Sequence, residues 1–411
     1  MERRRVAITG IGMITAVGLN RDDTWNNLIS GVSGIGPVTA FDTEGYKVTF
    51  AGEATGFDPT IAMDLKDARK ADRYAQLAVC ASAEAMAQAN PGDVDPSRAG
   101  VVIGSGIGGM ITFEEQHAKL IARGPTRVSP MFIPMMIADM AAGLVSIRFG
   151  YRGPNFATVS ACASGGHALA MAYEQIANGV ADVMISGGSE ACVCPMAMAG
   201  FASMRALSTR NDDPTTASRP FDAERDGFVL GEGAGILVLE DWDRAQSRGA
   251  DIIAEMVGSG MTADAFHMTQ PDNEGNGSRE AMRQAVASSG LDLSDIGYIN
   301  AHGTSTPFND KIETKAIKDL FGDHAETLSI SSTKSMTGHT LGAAGGVEAA
   351  ITALALKNGV LPPTMNYQTP DPECSLNYCP NKAVELQVEA ALSTSLGFGG
   401  HNVSLCLKRV D

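Results

Sequence analysis

The sequence predicts an α/β protein assembled from two similar halves that pack against each other. Three observations carry this. The same short phrase stands at two places, "TGIGM" at 9–13 and "VGSGM" at 257–261, each closing a β-type run. Later landmarks recur in the same order in both halves. Helical stretches such as 279–289 and 346–357, with apolar residues at three- and four-residue spacing, separate the strand-like runs.

Along the first half, one β-type run ends in "VVIGSGIGG" (101–109), a second meets "SACASGG" (160–166), and "DVMISGGSEA" (182–191) closes a third. The second half answers with "IGYINAHGTST" (296–306), "LSISSTKSMTGHTLGAAGG" (328–346) and "ALSTSLGFGGHNVSLCLK" (391–408). The division falls near 249–251, giving halves 1–250 and 251–411. The first is longer between its marks and is expected to carry insertions, chiefly 110–154 and 201–228. "STRNDDPTTASRPFD" (208–222) is expected to be a long ordered loop, because apolar strand signals resume at once.

With 411 residues, 44% hydrophobic and 19% charged, the chain can bury a large core. A net charge of −16 argues against nucleic acid as a partner. No apolar run approaches the roughly 20 residues of a membrane span. The opening "MERRRVAITGIGMITAVG" imitates a signal peptide, but Thr9, Gly10, Gly12 and Thr15 break its apolar run, which reads as a strand and turn. Seven scattered cysteines favour a reducing cytoplasm over a disulfide framework. "CVC" (192–194) and "CSLNYC" (374–379) lack the second pair or histidine cluster of a metal site, so neither metal nor cofactor is expected.

"GSGIGG" (104–109) fits the dinucleotide pattern G-x-G-x-x-G, but the second strand with a terminal acid about 20 residues on is missing. These glycines are expected instead to let backbone pass close to a substrate chain. Cys162 stands where an alternating run (156–161) gives way to a helix reaching about Asn178. A thiol there would have its pKa lowered by free helix amides, which are also oxyanion donors; a buried structural cysteine is the alternative. His302 and His339 lie in Gly- and Thr-rich loops of the second half. A lone loop histidine is more often structural. Two of them, with a cysteine in the equivalent loop of the other half, suggest a Cys-His-His site. Lys334 and Glu348 flank His339 and form either a buried ion pair or a surface one.

Together "SACASG", "NAHGTSTP", "STKSMTGHTLGAAG", "RPFDAERDGFVLGEGAG" and "GFGGHN" resemble the elongating type II β-ketoacyl-acyl carrier protein synthases over nearly the whole chain. The resemblance implies a duplicated thiolase fold, αβαβα in layers, with two similar mixed-sheet halves, in a cytoplasmic homodimer. It implies that Cys162 accepts an acyl chain from acyl carrier protein, and that His302 and His339 assist decarboxylation of malonyl-carrier protein. Lys334 and Glu348 match the supporting pair, Phe398 the gate, Thr304 and Thr306 the pantetheine contacts. Ile107, Phe201 and Phe132, the last from a partner subunit, match the acyl pocket. Leu396 and His401 stand where Phe and Thr are common in the family.

Lys66, Arg69, Lys70 and Arg73 fall at i, i+3, i+4 and i+7, which would gather four cations on one helix face. On spacing alone this is a solvated face tied to Asp67 and Asp72 or a docking stripe; the resemblance favours carrier docking, with Arg127 and Arg205 contributing. A polyketide ketosynthase is the alternative enzyme. A non-condensing subunit of the chain-length-factor kind is the alternative of another class, and retention of Cys162 speaks against it.

Overall fold

The computed structural model describes residues 3–410; Met1, Glu2 and Asp411 lie outside the described residues. One mixed sheet contains β1 (Val6–Ile14), β2 (Ala99–Gly104), β3 (Asn155–Phe156), β4 (Val183–Glu190), β5 (Gly233–Asp241), β6 (Ala254–Ala263), β7 (Ile296–Asn300), β8 (Ser329–Ser331), β9 (Ala390–Gly397) and β10 (His401–Lys408). Their order is β8-β7-β9-β10-β6-β1-β5-β4-β2-β3. It mirrors about the β6–β1 seam. From the seam outward, each side runs antiparallel, antiparallel, parallel, parallel. The seam itself is short, pairing Val6 with Met256, Ala7 with Glu255 and Ile8 with Ala254.

Four helices complete the repeat: α1 (Arg73–Ala89), α2 (Ser164–Ala177), α3 (Asn276–Ser289) and α4 (Ala344–Asn358). Helix α1 packs on β1 and β5, and α3 on β6 and β10; α2 and α4 lie between the two sides of the sheet, touching strands of both. The layers are αβαβα, as the resemblance implies. The repeated phrase has a packing cause. A Cβ on Gly10 or Gly12 would stand 2.1 or 1.9 Å from the carbonyl oxygens of Ala85 and Ala81 in α1. Gly258 and Gly260 meet those of Ala285 and Ala281 in α3 at 2.3 and 2.1 Å in the same way. Only glycine lets each helix lie flush on its strand.

Helix α4 is buried from Ala344 through Leu356 and apolar nearly all round, as a helix between the two sides of the sheet must be. Its Ile351 and Leu356, no more than 1% exposed, each contribute roughly 1.5–3 kcal/mol by burial. At its start Gly346 meets Gly165 of α2, where a Cβ on Gly165 would lie 2.8 Å from the Gly346 amide nitrogen. The loops leading into the two helices, carrying Cys162 and His339, are therefore held side by side.

Several expectations are corrected. The strand expected over 156–161 is only Asn155–Phe156. Beyond it Ser164 Oγ accepts from the Ser160 N–H and donates to the Ala161 carbonyl, while Thr158 Oγ1 donates to the Ser164 carbonyl. These side-chain bonds fold the segment over the helix start, with Ala161 at φ 51°. The cationic stripe is not one helix face. A short helix Leu65–Ala68 ends at Arg69, and Asp72 caps a new helix that begins with Arg73. The β4–β5 insertion is wider than expected, 191–232, against three residues, 398–400, at the matching β9–β10 turn. The second half carries an unexpected insertion of its own at 359–389, rich in Pro and Asn. The loop 208–222 is ordered, with Ser218, Arg219, Phe221 and Asp222 buried.

Candidate active site

Cys162, His302 and His339 line one cavity of about 440 Å³ between the two halves. Cys162 lies two residues before α2 and is 8% exposed. Burial pushes its thiol up to about 12, with the Lys334 ammonium pulling the other way. The expected depression of the pKa is therefore not met: in this enclosed position loss of water outweighs the cation. Gly397 at the end of β9 lies against the Cys162 backbone, where a Cβ would come within 3.2 Å of its amide nitrogen.

His302 follows β7 and its backbone is clamped. Its N–H donates to Glu313 Oε1 at 2.7 Å and that of Gly303 to Oε2 at 2.8 Å, while its carbonyl accepts from Lys334 Nζ at 2.5 Å. The His302 Nδ1 is buried with no hydrogen-bond partner among the described residues. His339 sits where the chain crosses Val229 and Gly231, donating to the former's carbonyl at 2.7 Å and accepting from the latter's N–H at 2.9 Å. Its Nδ1 accepts from the Leu341 N–H at 3.3 Å. That bond places the ring proton on Nε2 of a neutral imidazole, leaving a donor. The two rings meet edge to face with centroids 5.3 Å apart, and Phe228 packs on His339 at 5.4 Å. Burial, then the Lys334 charge, holds both imidazoles well below their ordinary pKa; at His302 the neighbouring His339 adds to this.

Lys334 and Glu348 form a direct ion pair with side chains 2% and 3% exposed, which decides between the buried and surface alternatives. Burial raises the Glu348 carboxyl to about 7, against the pull of Lys334. The pair sets a fixed cation under the His302 carbonyl.

Ile107, Phe201, Thr304, Thr306 and Phe398 also line the cavity, and the two threonine hydroxyls are hydrogen-bonded to each other at 2.9 Å. Phe132 does not line it; it leans on Phe113 with centroids 6.4 Å apart. Of the cations, Arg205 alone lines the cavity, while Lys66, Arg69, Lys70 and Arg127 are exposed elsewhere. Arg73 is structural. Its Nε and Nη2 donate to Glu232 at 2.8 and 2.7 Å, and Nη2 also to the Ala54 carbonyl at 3.0 Å. Asp72, expected to balance the stripe, is buried and accepts from the N–H groups of Tyr74 and Thr112.

Sequence reasoning missed two buried carboxylates, Glu190 and Glu313, both 0% exposed. Each had a signal. Glu190 ends a wholly buried strand, and Glu313 interrupts the inward stripe of Ile312, Ala316 and Ile317. The dinucleotide-like glycines are explained by the first. The N–H groups of Gly106, Ile107 and Gly108 converge on the Glu190 carboxylate, so the anion held by this turn is the protein's own.

Comparison with known proteins agrees with this geometry. The family model "Beta-ketoacyl synthase, N-terminal domain" matches residues 3–245 and "Beta-ketoacyl synthase, C-terminal domain" matches 253–368. The chain is 50% identical over 411 residues to 3-oxoacyl-[acyl-carrier-protein] synthase 2 of Synechocystis sp., covering 100% of this chain and 99% of that one. It is 52% identical over 412 residues to the protein of the same name from Staphylococcus aureus (strain N315), with the same coverage. Among solved structures it superposes on a β-ketoacyl synthase from Burkholderia phymatum with a TM-score of 0.92 at 38% identity, covering 99% of this chain and 100% of that one. It also superposes on a type II polyketide ketosynthase, solved with its acyl-carrier protein and bound to the hexaketide, with a TM-score of 0.92 at 34% identity and the same coverage. With both family models matched in register over most of its length and a Cys-His-His cavity between its halves, the chain belongs to the β-ketoacyl synthase family.

Proposed function

We propose that this chain is an elongating 3-oxoacyl-acyl carrier protein synthase of fatty acid synthesis, taking acyl and malonyl thioesters from acyl carrier protein. The observation that carries the reading is a nucleophile and two neutral imidazoles in one buried cavity, with a fixed Lys334–Glu348 pair behind them. The identity of 50–52% to proteins named for this reaction, against 34% to the type II polyketide ketosynthase, favours elongation over a polyketide pathway.

The chemistry follows from the site. Cys162 Sγ attacks the acyl thioester carbon, its proton leaves with the carrier thiol, and the acyl chain becomes a cysteine thioester. The negative oxygen that forms on the way lies beside the amides of Cys162 and Phe398, the proposed oxyanion donors. A malonyl thioester then enters, its pantetheine arm on Thr304 and Thr306. Loss of carbon dioxide leaves an electron pair shared between carbon and the thioester oxygen. His339 Nε2–H and the His302 ring meet that oxygen as neutral donors, with Lys334 keeping them neutral. The carbon attacks the acyl-cysteine, a carbon–carbon bond forms, and Cys162 leaves as thiolate and takes up a proton from solvent, balancing the carboxylate charge lost with carbon dioxide. The enclosed cavity keeps water from quenching the carbanion. Ile107 and Phe201 wall the acyl end.

The assembly proposed is a homodimer working in the cytoplasm, with the halves 1–250 and 251–411 as its structural units. Phe113, Ile133 and Val159 are 39%, 54% and 62% exposed, and the outer side of β3 is unpaired, a sheet edge suited to a second copy. Phe132 in the same region would then reach the partner's cavity. Cys162→Ser is the direct test. Intact mass should show no acyl adduct after incubation with acyl-carrier protein, because the hydroxyl is a weaker nucleophile with no adjacent strong base; adduct forming at the unmodified protein's rate removes the assignment.

A further inference from the structure

Glu190 ends β4 without exposed surface, and its carboxylate gathers donors from two separate turns. From the turn after β2, Oε1 accepts from Ser105 Oγ at 2.9 Å and from the N–H groups of Ile107 and Gly108 at 3.2 Å each, while Oε2 accepts from Gly106 N–H at 2.6 Å. From the turn after His339, Oε2 also accepts from Gly342 N–H at 3.1 Å. Every one of these partners is donating, so an ionised carboxylate matches the set and a carboxamide does not. The two turns touch as well, for a Cβ on Gly342 would lie 2.2 Å from Gly106 N and 2.6 Å from Glu190 Oε2.

What the two turns carry gives this tie its meaning. One holds Ile107 on the cavity wall. The other begins with Leu341, whose N–H sets the tautomer of His339. We infer that Glu190 is a positioning residue of the condensation, locking the Ile107 wall and the His339 turn in one register so that acyl-length selectivity and carbanion formation respond together when it is disturbed. Without this acceptor the N–H groups of Gly106 and Ile107 lose their partner, while Gly108 N–H keeps only Ser105 Oγ at 3.2 Å, and the turn would rearrange. The inference rests on reading Ile107 as a wall of the acyl site.

The test is Glu190→Gln, which keeps the volume but turns an amide nitrogen toward N–H donors, with Ser105→Ala as a milder variant that removes one donor to Glu190 and the second acceptor of Gly108 N–H. Both are assayed for Cys162 acylation, for malonyl-carrier decarboxylation, and for kcat/KM over a ladder of acyl-carrier chain lengths. For Glu190→Gln, decarboxylation should fall by about tenfold or more and the ratio of kcat/KM between long and short chains should narrow by about threefold, while Cys162 still acylates. Ser105→Ala should show the same pair of changes at smaller size. The inference is overturned if every chain length loses the same factor, or if either readout moves without the other. Should Glu190→Gln fail to fold, Ser105→Ala decides by the same two readouts. Ile107→Phe separates the underlying reading. An unmoved length profile there condemns the pocket role of Ile107, whereas a moved profile there with unmoved Glu190 and Ser105 variants overturns the present inference alone.

Discussion

The turn after β2 in the first half and the turn after β7 in the second occupy matching places in a mirrored sheet, and each is clamped by a buried carboxylate. Glu190 takes the N–H groups of 106–108 from the end of a neighbouring strand; Glu313 takes those of His302 and Gly303 from the helix Asn309–Phe321. The backbone solution is similar and the side chain it presents is not. One turn offers Ile107, the proposed wall, and the other His302, a proposed donor to the developing negative oxygen. The loops entering α2 and α4 repeat the contrast with Cys162 and His339. The two halves thus hold similar rigid mounts at matching places, and what differs is the side chain each mount carries.

If the second-half mount is the chemical one, His302→Ala or His339→Ala should lower condensation by a factor on the order of 10² or more while Cys162 is still acylated, read by product formation beside intact mass. Unchanged malonyl decarboxylation in both variants would erase the distinction between the turns. The next largest effect is on stability. Lys334→Met leaves Glu348 buried without its cation and should cost about 3–5 kcal/mol in urea denaturation, and a loss under 1 kcal/mol would mean the pair is dispensable to the mount.

The two imidazoles also make the comparison sensitive to acid. Their folded pKa values lie well below the ordinary 6.5, so as pH falls through about 6.5 the unfolded chain binds protons that the folded rings refuse, and stability declines. Glu348, raised to about 7, takes up a proton in the folded chain over the same window and offsets part of this, so the test is the difference: between pH 7.5 and 5.5 the unmodified protein's urea midpoint should fall relative to that of His302→Asn with His339→Asn. Smallest are the surface cations. Lys66→Glu and Lys70→Glu should change stability by less than about 0.5 kcal/mol and leave carrier-dependent turnover nearly unmoved, whereas Arg205→Glu at the cavity should slow it more at low salt than at high. A large effect from Lys70 and none from Arg205 would return docking to the stripe.

Much of this was legible in the sequence for a physical reason. The glycines of "TGIGM" and "VGSGM" are fixed by helix contact, so the repeat they spell is a packing requirement visible without coordinates. Cys162, His302 and His339 stood out because reactive residues in small-residue loops have no apolar stripe to belong to. The cationic stripe misled because spacing assumes one continuous helix, and Asp72 restarts the helix at Arg73. The pKa of Cys162 was misjudged because burial belongs to the tertiary structure, and α2 says nothing of how closely the second half closes over the sulfur. Glu190 and Glu313 were passed over because their partners are backbone N–H groups, which every residue has.

Helix α4 has a consequence in time. It is encoded at 344–358, yet it covers β4 and β5 of the first half. On a ribosome the first 250 residues emerge with α2 over β2 and β4, but the part of that face that α4 covers, chiefly over β5, stays bare until the last fifth of the chain has been made. A truncated product ending near the division would expose that apolar face permanently and is expected to aggregate, so the first half matures only as its successor arrives.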